Sequence, residues 1–272
     1  MSAVDYDKPQ LAEKYDAVSD SQYNNGIELI ERLGIDKGNN VLDVGCGTGR
    51  LALYTAGRVG QSGKVLGIDP APLRIAIANK KLAGEHLTNI EFKVSSSDDL
   101  GDLDENQFNH TYLSAVFHWI PDKSSATRKI FRVLKPGGKI GITTLDKDKM
   151  PLINEITSQL LSREPYAGKA DWEKDPVKPV GQKEIENILK SAGFEDIDVR
   201  ILIKKKHWST PAEAIEFVEA SSFGSFLNQV PDTIRHNFRK DLEAELAKRA
   251  TPDGIESTTN TIFAIAAKPT HN

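Results

Sequence analysis

The segment DVGCGTG, at residues 43–49, contains the residue types that suit a small ligand bound against the backbone. Its glycines let the chain turn sharply and let a ligand approach closely. Apolar residues predict a strand before this segment and a helix after it, and Asp69 ends the next predicted strand. A carboxylate in that place can accept hydrogen bonds from both hydroxyls of an adenosine ribose. Since ligands of such sheets bind beyond the carboxyl ends of the strands, we expect a nucleoside cofactor here.

The glycine spacing bears on which nucleoside cofactor would bind. The dinucleotide fingerprint is Gly-x-Gly-x-x-Gly, and read from Gly45 its third position is Arg50. Read from Gly47, the third position is Ala52, which that fingerprint tolerates. Asp43 precedes the loop, where a carboxylate would repel a pyrophosphate but favour a ligand with an ammonium and a sulfonium group. A nicotinamide dinucleotide is therefore an alternative, but not the favoured one.

The elements around the loop alternate between short β-branched runs and helix-like segments, which is typical of an α/β fold with a parallel sheet. Strands are predicted at residues 41–45, 64–69, 90–94, 110–116, 139–145, 197–203 and 261–269. Helices are predicted at residues 8–34, 48–58, 71–84, 122–134, 182–192 and 210–250, the last with a break near Pro231. Lys135-Pro136-Gly137-Gly138 predicts a helix stop and a turn. Residues 146–180 are polar and interrupted by prolines, so an irregular or helical insertion is expected there.

Composition narrows the range of functions. The chain has 272 residues with 35 Lys and Arg against 39 Asp and Glu, so no positive field favours nucleic acid. No apolar run is long enough to span a bilayer, and the first residues resemble neither a signal nor a transit peptide. We therefore expect a cytoplasmic protein that contacts neither nucleic acid nor membrane. With Cys46 as its single cysteine, the chain has no disulfide framework and no Cys-rich metal site, and we expect no metal.

Four motifs in order carry a family resemblance: DVGCGTG (43–49), GIDPAP (67–72), FNHTYLSAVFHWIPD (108–122) and RVLKPGGKIGITT (132–144). Over residues 36–145 the chain resembles class I S-adenosylmethionine-dependent methyltransferases of the small-molecule type. The resemblance implies a Rossmann-like, mostly parallel seven-stranded sheet with helices on both faces and helical lid insertions. It implies one methyltransferase domain over residues 1–272, whose parts are an N-terminal helical cap (1–35), a cofactor-binding core (36–145) and two acceptor-side insertions (146–180 and 208–252).

The resemblance also implies roles for single residues toward S-adenosylmethionine. The loop would line the methionine part with Asp43 near its amino group, Asp69 would bind the ribose, and Pro70 would border the adenine. Where the family usually has an acid for the adenine amine, this chain has Ser96 and Ser97, with Asp98 just beyond. The full set of expected cofactor contacts is Asp43, Gly45, Cys46, Gly47, Gly49, Asp69, Pro70, Ser96, Ser97, Asp98 and Ser114.

The acceptor side is expected after the fourth strand, where the chain reads SAVFHW rather than the Asn-Pro-Pro-Tyr type of enzymes that methylate exocyclic amines. His118 is a candidate general base, and its alternative is packing beside Trp119. Lys204–Lys206 could attract an anionic acceptor or form a solvated strand end. Candidate pocket walls, each with ordinary core packing as the alternative, are Tyr15, Tyr23, His118, Trp119, Trp172, His207, Trp208, Phe223, Phe226 and Phe238.

The favoured hypothesis is transfer of a methyl group to a small molecule by in-line displacement, for which alignment and exclusion of water matter most. Two alternatives are a nicotinamide-dependent oxidoreductase and a non-catalytic cofactor-binding protein on the same fold. The accepting atom stays open among oxygen, nitrogen, carbon, sulfur and a metalloid. A metalloid is disfavoured because the chain has one cysteine.

Overall fold

The computed structural model describes residues 9–175, 177–222 and 225–270. Its strands are β1 (Asn40–Val44), β2 (Lys64–Asp69), β3 (Ile90–Val94), β4 (Phe108–Ser114), β5 (Leu134–Leu145), β6 (Glu195–Trp208) and β7 (Ile255–Ala267). They form one sheet in the order β3-β2-β1-β4-β5-β7-β6. The first five strands are parallel, and β7 runs antiparallel between β5 and β6. The prediction of a mostly parallel seven-stranded sheet is confirmed.

Helices cover both faces of this sheet, as predicted. They are α1 (Pro9–Val18), α2 (Asp20–Leu33), α3 (Arg50–Val59), α4 (Pro72–Leu82), α5 (Lys123–Val133), α6 (Leu152–Leu161), α7 (Gln182–Ser191), α8 (Pro211–Ser221) and α9 (Asp232–Ala247). One hydrophobic cluster joins the sheet to α5 and α7 through residues such as Ile130 and Leu189. A second cluster joins the opposite face to α2, α3 and α4 through residues such as Leu29, Ala52 and Ile75.

The prediction of one helix over residues 8–34 is wrong, because the chain breaks between α1 and α2 at Ser19 (φ −93°, ψ 18°). Helix α2 packs on the sheet through Leu29, Ile30 and Leu33, which are fully buried. Helix α1 instead contacts α4 and α8. The break therefore turns α1 away from the sheet and toward the carboxyl ends of the strands.

Helix α5 ends just before the Lys-Pro-Gly-Gly segment, as predicted. The turn expected in this segment is replaced by an irregularity within strand β5. Strand β5 begins immediately after α5, with Leu134 paired to Phe108. The next pair joins His110 to Lys139, so the register shifts across Pro136–Gly138. Gly137 has φ +75°, a conformation that glycine adopts without strain. The extra residues form a bulge that is accommodated within the strand.

The two predicted insertions, residues 146–180 and 208–252, contribute helices to one common helical layer. Helices α6, α8 and α9 share a third hydrophobic cluster centred on residues such as Ile156, Ile215 and Phe238. Tyr166 packs edge-on against Phe238 at 4.9 Å between ring centroids, and its hydroxyl donates to Asp241 at 2.6 Å. None of the helices in the described ranges is both long and apolar enough to cross a bilayer.

The helical layer depends on Phe238, which is fully buried in its cluster. We expect Phe238→Ala to lower the free energy of unfolding by about 3–5 kcal/mol, because it leaves a cavity among α6, α8 and α9. Urea-induced unfolding followed by circular dichroism measures this change. Ile203→Ala is the control, since Ile203 is 70% exposed and should change the free energy by no more than about 0.5 kcal/mol. Equal effects of the two substitutions would show that the layer has no core of its own.

Candidate active site

A cavity of about 490 Å³ lies at the carboxyl ends of β1, β2 and β4. This volume is within the usual range for small-molecule sites. Most of the expected cofactor contacts line its wall, namely Asp43, Gly45, Cys46, Gly47, Asp69, Pro70, Ser96, Ser97, Asp98 and Ser114. Residues that are far apart in the sequence thus meet at one place, which is the edge predicted from the strand ends.

The glycine loop is fixed by backbone hydrogen bonds to the end of β2. The amides of Gly45 and Cys46 donate to the carbonyl oxygen of Ile68 at 2.7 and 2.9 Å. Gly45 has φ +77°, and a Cβ atom there would lie 2.3 Å from Val116 Cγ2. A Cβ at Gly47 would meet no atom within 4 Å, so this part of the loop is open to the cavity. The loop therefore offers a ligand exposed backbone without side chains in the way.

Gly49 is an exception among the predicted contacts, since it is absent from the cavity wall. A Cβ atom there would lie 2.7 Å from Phe92 Cζ and 2.8 Å from Ala78 Cβ. Gly49 is also the residue that caps the N-terminus of helix α3, with φ +81°. Gly49 therefore permits close packing of α3, α4 and β3, and its expected contact with the methionine part of the cofactor stays a prediction that the cavity wall does not support.

Asp69 is 4% exposed at the end of β2, and backbone amides hold its carboxylate. Its Oδ2 accepts from Gly47 N at 2.9 Å and its Oδ1 from Ala71 N at 2.8 Å. A carboxylate oxygen can accept more than one hydrogen bond, so these two amides do not by themselves exclude ligand hydroxyls. The same bonds fix the loop relative to the carboxylate, which suits Asp69 for binding a vicinal diol.

Asp43 is 2% exposed and lies at the end of β1. The hydroxyl of Tyr112 donates to its Oδ2 at 2.8 Å and lies 3.0 Å from Thr55 Oγ1. Burial raises the pKa of Asp43 to about 8; the Tyr112 hydrogen bond opposes this rise and the charge of Asp69 adds to it. Without a ligand this carboxyl is therefore largely protonated at neutral pH, and a cation beside it would favour its ionised form.

Helices α1 and α2 are fastened over the loop by residues that sequence reasoning missed. Asp16 accepts a hydrogen bond from the Thr48 hydroxyl and forms an ion pair with Lys81. Lys81 Nζ also donates to the carbonyl oxygen of Thr48 at 3.1 Å. We call Asp16, Thr48 and Lys81 the α1 clamp. Thr48 lies 32 residues from Asp16, so no local spacing in the sequence signalled this contact.

The two tyrosines predicted on these helices, Tyr15 and Tyr23, do line the cavity. Each ring lies against a guanidinium group, with Arg74 Cζ 4.9 Å from the Tyr15 centroid and Arg50 Cζ 4.0 Å from the Tyr23 centroid. Burial raises the pKa of the Tyr15 hydroxyl, so it stays neutral. Arg74 is only 2% exposed, which is rare for an arginine that lines a ligand cavity.

His118 does not line the cavity, so this geometry favours its packing alternative and gives the general-base hypothesis no support. The ring is 5% exposed, and its Nδ1 lies 3.1 Å from Thr144 Oγ1. Burial, together with the charge of Lys123, lowers its pKa to about 3. It packs against Trp119 at 5.4 Å between ring centroids, and Trp119 itself lines the cavity.

The remaining aromatic candidates are not brought to the cavity. Trp208, Phe226 and Phe238 are buried in the cluster of the helical layer. Trp172 is 52% exposed, and the cavity is lined instead by its neighbours Glu173 and Asp175. The sequence indicated that Trp208, Phe226 and Phe238 would be buried, but not against which part of the fold.

The candidates His207 and Lys204–Lys206 lie on β6, away from the cavity, and Phe223 lies outside the described residues. His207 Nε2 is 3.5 Å from Glu256. Lys204 contacts Asn25 and Glu28, while Lys205 pairs with Glu256. Lys206 Nζ lies 3.0 Å from the Phe217 ring centroid. An anion-binding role for these lysines therefore has no support from the cavity.

The buried carboxyl of Asp43 is expected to favour ligand binding at the expense of folding stability. Because its pKa is about 8 when folded and about 4 when unfolded, stability decreases as the pH rises from about 4 to about 8. We expect Asp43→Asn, without ligand, to be more stable than the wild type by at least about 1 kcal/mol at pH 8, with a smaller difference at pH 5. Urea-induced unfolding at the two pH values measures this.

The family resemblance places Asp43 near the amino group of the cofactor, and S-adenosylhomocysteine carries the same amino group. We therefore expect Asp43→Asn to bind S-adenosylhomocysteine at least about 10-fold more weakly than the wild type. Titration calorimetry measures that affinity. A variant that is less stable at pH 8 and binds with unchanged affinity would contradict both expectations.

The α1 clamp is expected to slow ligand release. Lys81→Met keeps the length of the side chain but removes the contacts to Asp16 and Thr48. Since a partly exposed ion pair contributes up to about 1 kcal/mol, we expect S-adenosylhomocysteine to dissociate about 2- to 5-fold faster, measured by stopped-flow displacement. Lys93→Met, which removes an exposed pair with Glu91, is the matched control. Equal rates for both variants would rule out the clamp.

Comparison with known proteins agrees with this geometry. A family model described as a methyltransferase domain matches residues 35–193. A ubiquinone/menaquinone biosynthesis C-methyltransferase of Francisella tularensis subsp. holarctica is 29% identical over 205 residues, covering 69% of this chain and 81% of that protein. An arsenite methyltransferase of Aquipseudomonas alcaligenes is 30% identical over 196 residues, covering 70% of this chain and 53% of that longer protein.

The solved structures include a phosphoethanolamine N-methyltransferase of Haemonchus contortus in complex with S-adenosyl-L-methionine. It has a TM-score of 0.57 and 23% identity, and the match covers 90% of this chain and 52% of that chain. The family match gives no support to a nicotinamide-dependent oxidoreductase. Because the family model extends from just before β1 to just beyond α7, and so covers every strand end that forms the cavity, the chain belongs to the class I S-adenosylmethionine-dependent methyltransferases.

Proposed function

We propose that this methyltransferase acts on a small organic molecule. The observation that carries the proposal is that the cavity continues beyond the cofactor contacts. Its wall also includes Gln22 of α2, Trp119 after β4, Glu173 after α6 and Ser221 at the end of α8. A cavity bounded by these separate elements, with a volume usual for small-molecule sites, suits a small acceptor better than a macromolecule.

The residues on the cavity wall fit S-adenosylmethionine. In this proposal Asp43 binds its ammonium group, the exposed backbone of Gly47 borders its methionine part, and Asp69 accepts from its ribose hydroxyls. Ser97 is 7% exposed, lines the cavity and can accept from or donate to the adenine. When bound, the cofactor supplies an electrophilic methyl group that an acceptor receives by in-line displacement.

The chain's own contribution to such a reaction is alignment and the exclusion of water. Val116, Ile120 and Leu51 give the cavity an apolar wall beside the loop, and helix α1 lies over it through the α1 clamp. Holding two reactants in line can contribute several kcal/mol to catalysis without a base. The burial of His118 in the core is therefore compatible with catalysis.

The names of the relatives suggest acceptors as different as quinones and arsenite. A soft metalloid is best held by several thiolates. This chain has only Cys46, which is 8% exposed in the glycine loop and whose pKa is raised by burial. An organic acceptor is therefore the better match for this cavity.

Incubation of the protein with methyl-labelled donor and a metabolite extract tests the proposal. We expect label in a product below about 1,000 Da, a size compatible with the cavity. Asp69→Ala should lower the labelling at least about 10-fold, because it removes the proposed ribose contact. Label that appears in nucleic acid or protein instead, or in no product, would overturn the proposal.

A further inference from the structure

The charged groups on the cavity wall differ in whether the protein itself satisfies them. Asp16 has Thr48 and Lys81 as partners, and Arg50 pairs with Asp20 at 2.6 Å. By contrast, three charged side chains of one short segment, Glu173, Asp175 and Lys178, line the cavity without an ion-pair partner in the described part of the chain. This excess of free carboxylate over free ammonium is the starting point of the inference.

The residues that carry them, 171–175 and 177–178, are held in place on two sides. Asp171 N donates to the carbonyl oxygen of Gln229 in the helical layer at 2.8 Å. Lys178 N donates to the carbonyl oxygen of His118, in the turn after β4, also at 2.8 Å. We call residues 171–175 and 177–178 the acidic bridge, because they contact the helical layer on one side and the core beside the cavity on the other. Its carboxylates are thereby positioned by backbone contacts on both sides.

Asp175 is the partly buried member of the acidic bridge. Its Oδ1 accepts from Val177 N at 3.0 Å, and its Oδ2 has no hydrogen bond within the described residues. Burial raises the pKa of Asp175, while the Val177 hydrogen bond and the charge of Lys178 oppose the rise. A carboxylate in this setting is stabilised by a cation that comes from the ligand.

A second, independent feature points to a polar ligand in the same cavity. Ser19, at the break between α1 and α2, is 4% exposed and lines the cavity. Its hydroxyl has no hydrogen bond in the described part of the chain. The hydroxyl is reached from the cavity rather than sealed in the core. Ser19 therefore offers a hydrogen bond to a ligand group that comes within reach.

We propose that the methyl acceptor is a small amine, positively charged in solution, whose ammonium group is bound by the carboxylates of Glu173 and Asp175. This inference rests on the function proposed above and names its substrate class. An ammonium group has several donors and can satisfy both carboxylates at once. Next to these two carboxylates, an anionic group would face two negative charges and the one positive charge of Lys178.

Asp175 also has a part in making such an acceptor reactive. An ammonium nitrogen has no free electron pair, so it must lose a proton before it can form a bond to carbon. The proton passes to Asp175 Oδ2, which leaves a neutral amine with its lone pair free and a neutral carboxylic acid. The lone pair then forms a bond to the donor methyl carbon as the bond from that carbon to the donor sulfur breaks, so the sulfonium becomes a neutral thioether and the methylated nitrogen carries the positive charge. The acid returns its proton to water after the product leaves.

The test separates an acceptor extract by ion exchange at pH 7 into cationic, neutral and anionic fractions. Each fraction is incubated with methyl-labelled donor and enzyme, and label is expected in a product from the cationic fraction. Asp175→Asn and Glu173→Gln should each lower kcat/KM for that acceptor at least about 10-fold. Both variants should keep the wild-type affinity for S-adenosylhomocysteine. Asp198→Asn, an exposed carboxylate on β6 that pairs with Arg200, is the matched control.

Lys178→Met distinguishes the sign of the acceptor's charge. It removes the competing cation of the acidic bridge, so kcat/KM for an amine should be unchanged or higher. A second measurement does not depend on turnover: the acceptor purified from the cationic fraction is titrated calorimetrically into enzyme saturated with S-adenosylhomocysteine. Its binding should be at least about 10-fold weaker for Asp175→Asn and unchanged for Asp198→Asn.

The outcomes separate this inference from the function on which it rests. Label in a product of the neutral or anionic fraction overturns the amine class while leaving small-molecule methylation intact. Kinetics and binding within twofold of the wild type for both carboxylate variants also overturn it, as does a loss of activity in Lys178→Met alone. Label in no fraction overturns the proposed function itself.

Discussion

The attachment of the glycine loop to the end of β2 is the constraint on which the cavity depends. Two amides of the loop share the carbonyl oxygen of Ile68, and a third, from Gly47, donates to the Asp69 carboxylate. These bonds fix the loop and Asp69 as one unit, although 22 residues separate the last two partners. At Gly45 the close approach of Val116 leaves no space for a side chain. The end of β4 is thereby brought against the loop, and the cavity opens where the three strands end.

This constraint explains why the cofactor half of the site could be predicted from the sequence. The strand, the glycines and the acid at the next strand end are close in the chain, and backbone geometry alone brings them together. Asp43, Gly47 and Asp69 follow directly from that rule, since each stands at the carboxyl end of a parallel strand. Gly49 followed the same motif, yet its missing side chain serves the packing of Phe92 and Ala78. A motif therefore identifies a glycine without saying which neighbour needs it.

The acceptor half could not be predicted in the same way, because it is assembled by long-range packing. An aromatic residue such as Trp208 is recognisable as buried, but the sequence around it does not indicate that it packs in the cluster of the helical layer. His118 has the chemistry of a base, and only the fold shows that it lies buried beside Thr144 with its pKa lowered to about 3. Conversely, Glu173 and Asp175 look like ordinary charged residues of a polar insertion. They become site residues through the contacts of Asp171 and Lys178 at the two ends of their segment.

The cavity wall also shows how binding and folding are linked in this protein. Asp43 is wholly and Asp175 partly withdrawn from water, and the fold does not fully compensate either carboxyl group. Asp43 responds by holding a proton, because Tyr112 alone does not offset its burial. A ligand ammonium beside it must therefore displace that proton, so binding near neutral pH releases a proton and becomes more favourable as the pH rises toward 8. The carboxyl of Asp175 obeys the same rule under a smaller penalty, since Val177 and Lys178 already stabilise its charge. A positively charged ligand group therefore compensates for the burial of each of these two carboxyl groups. The carboxylates that lower the stability of the ligand-free protein thereby make the protein selective for positively charged ligands.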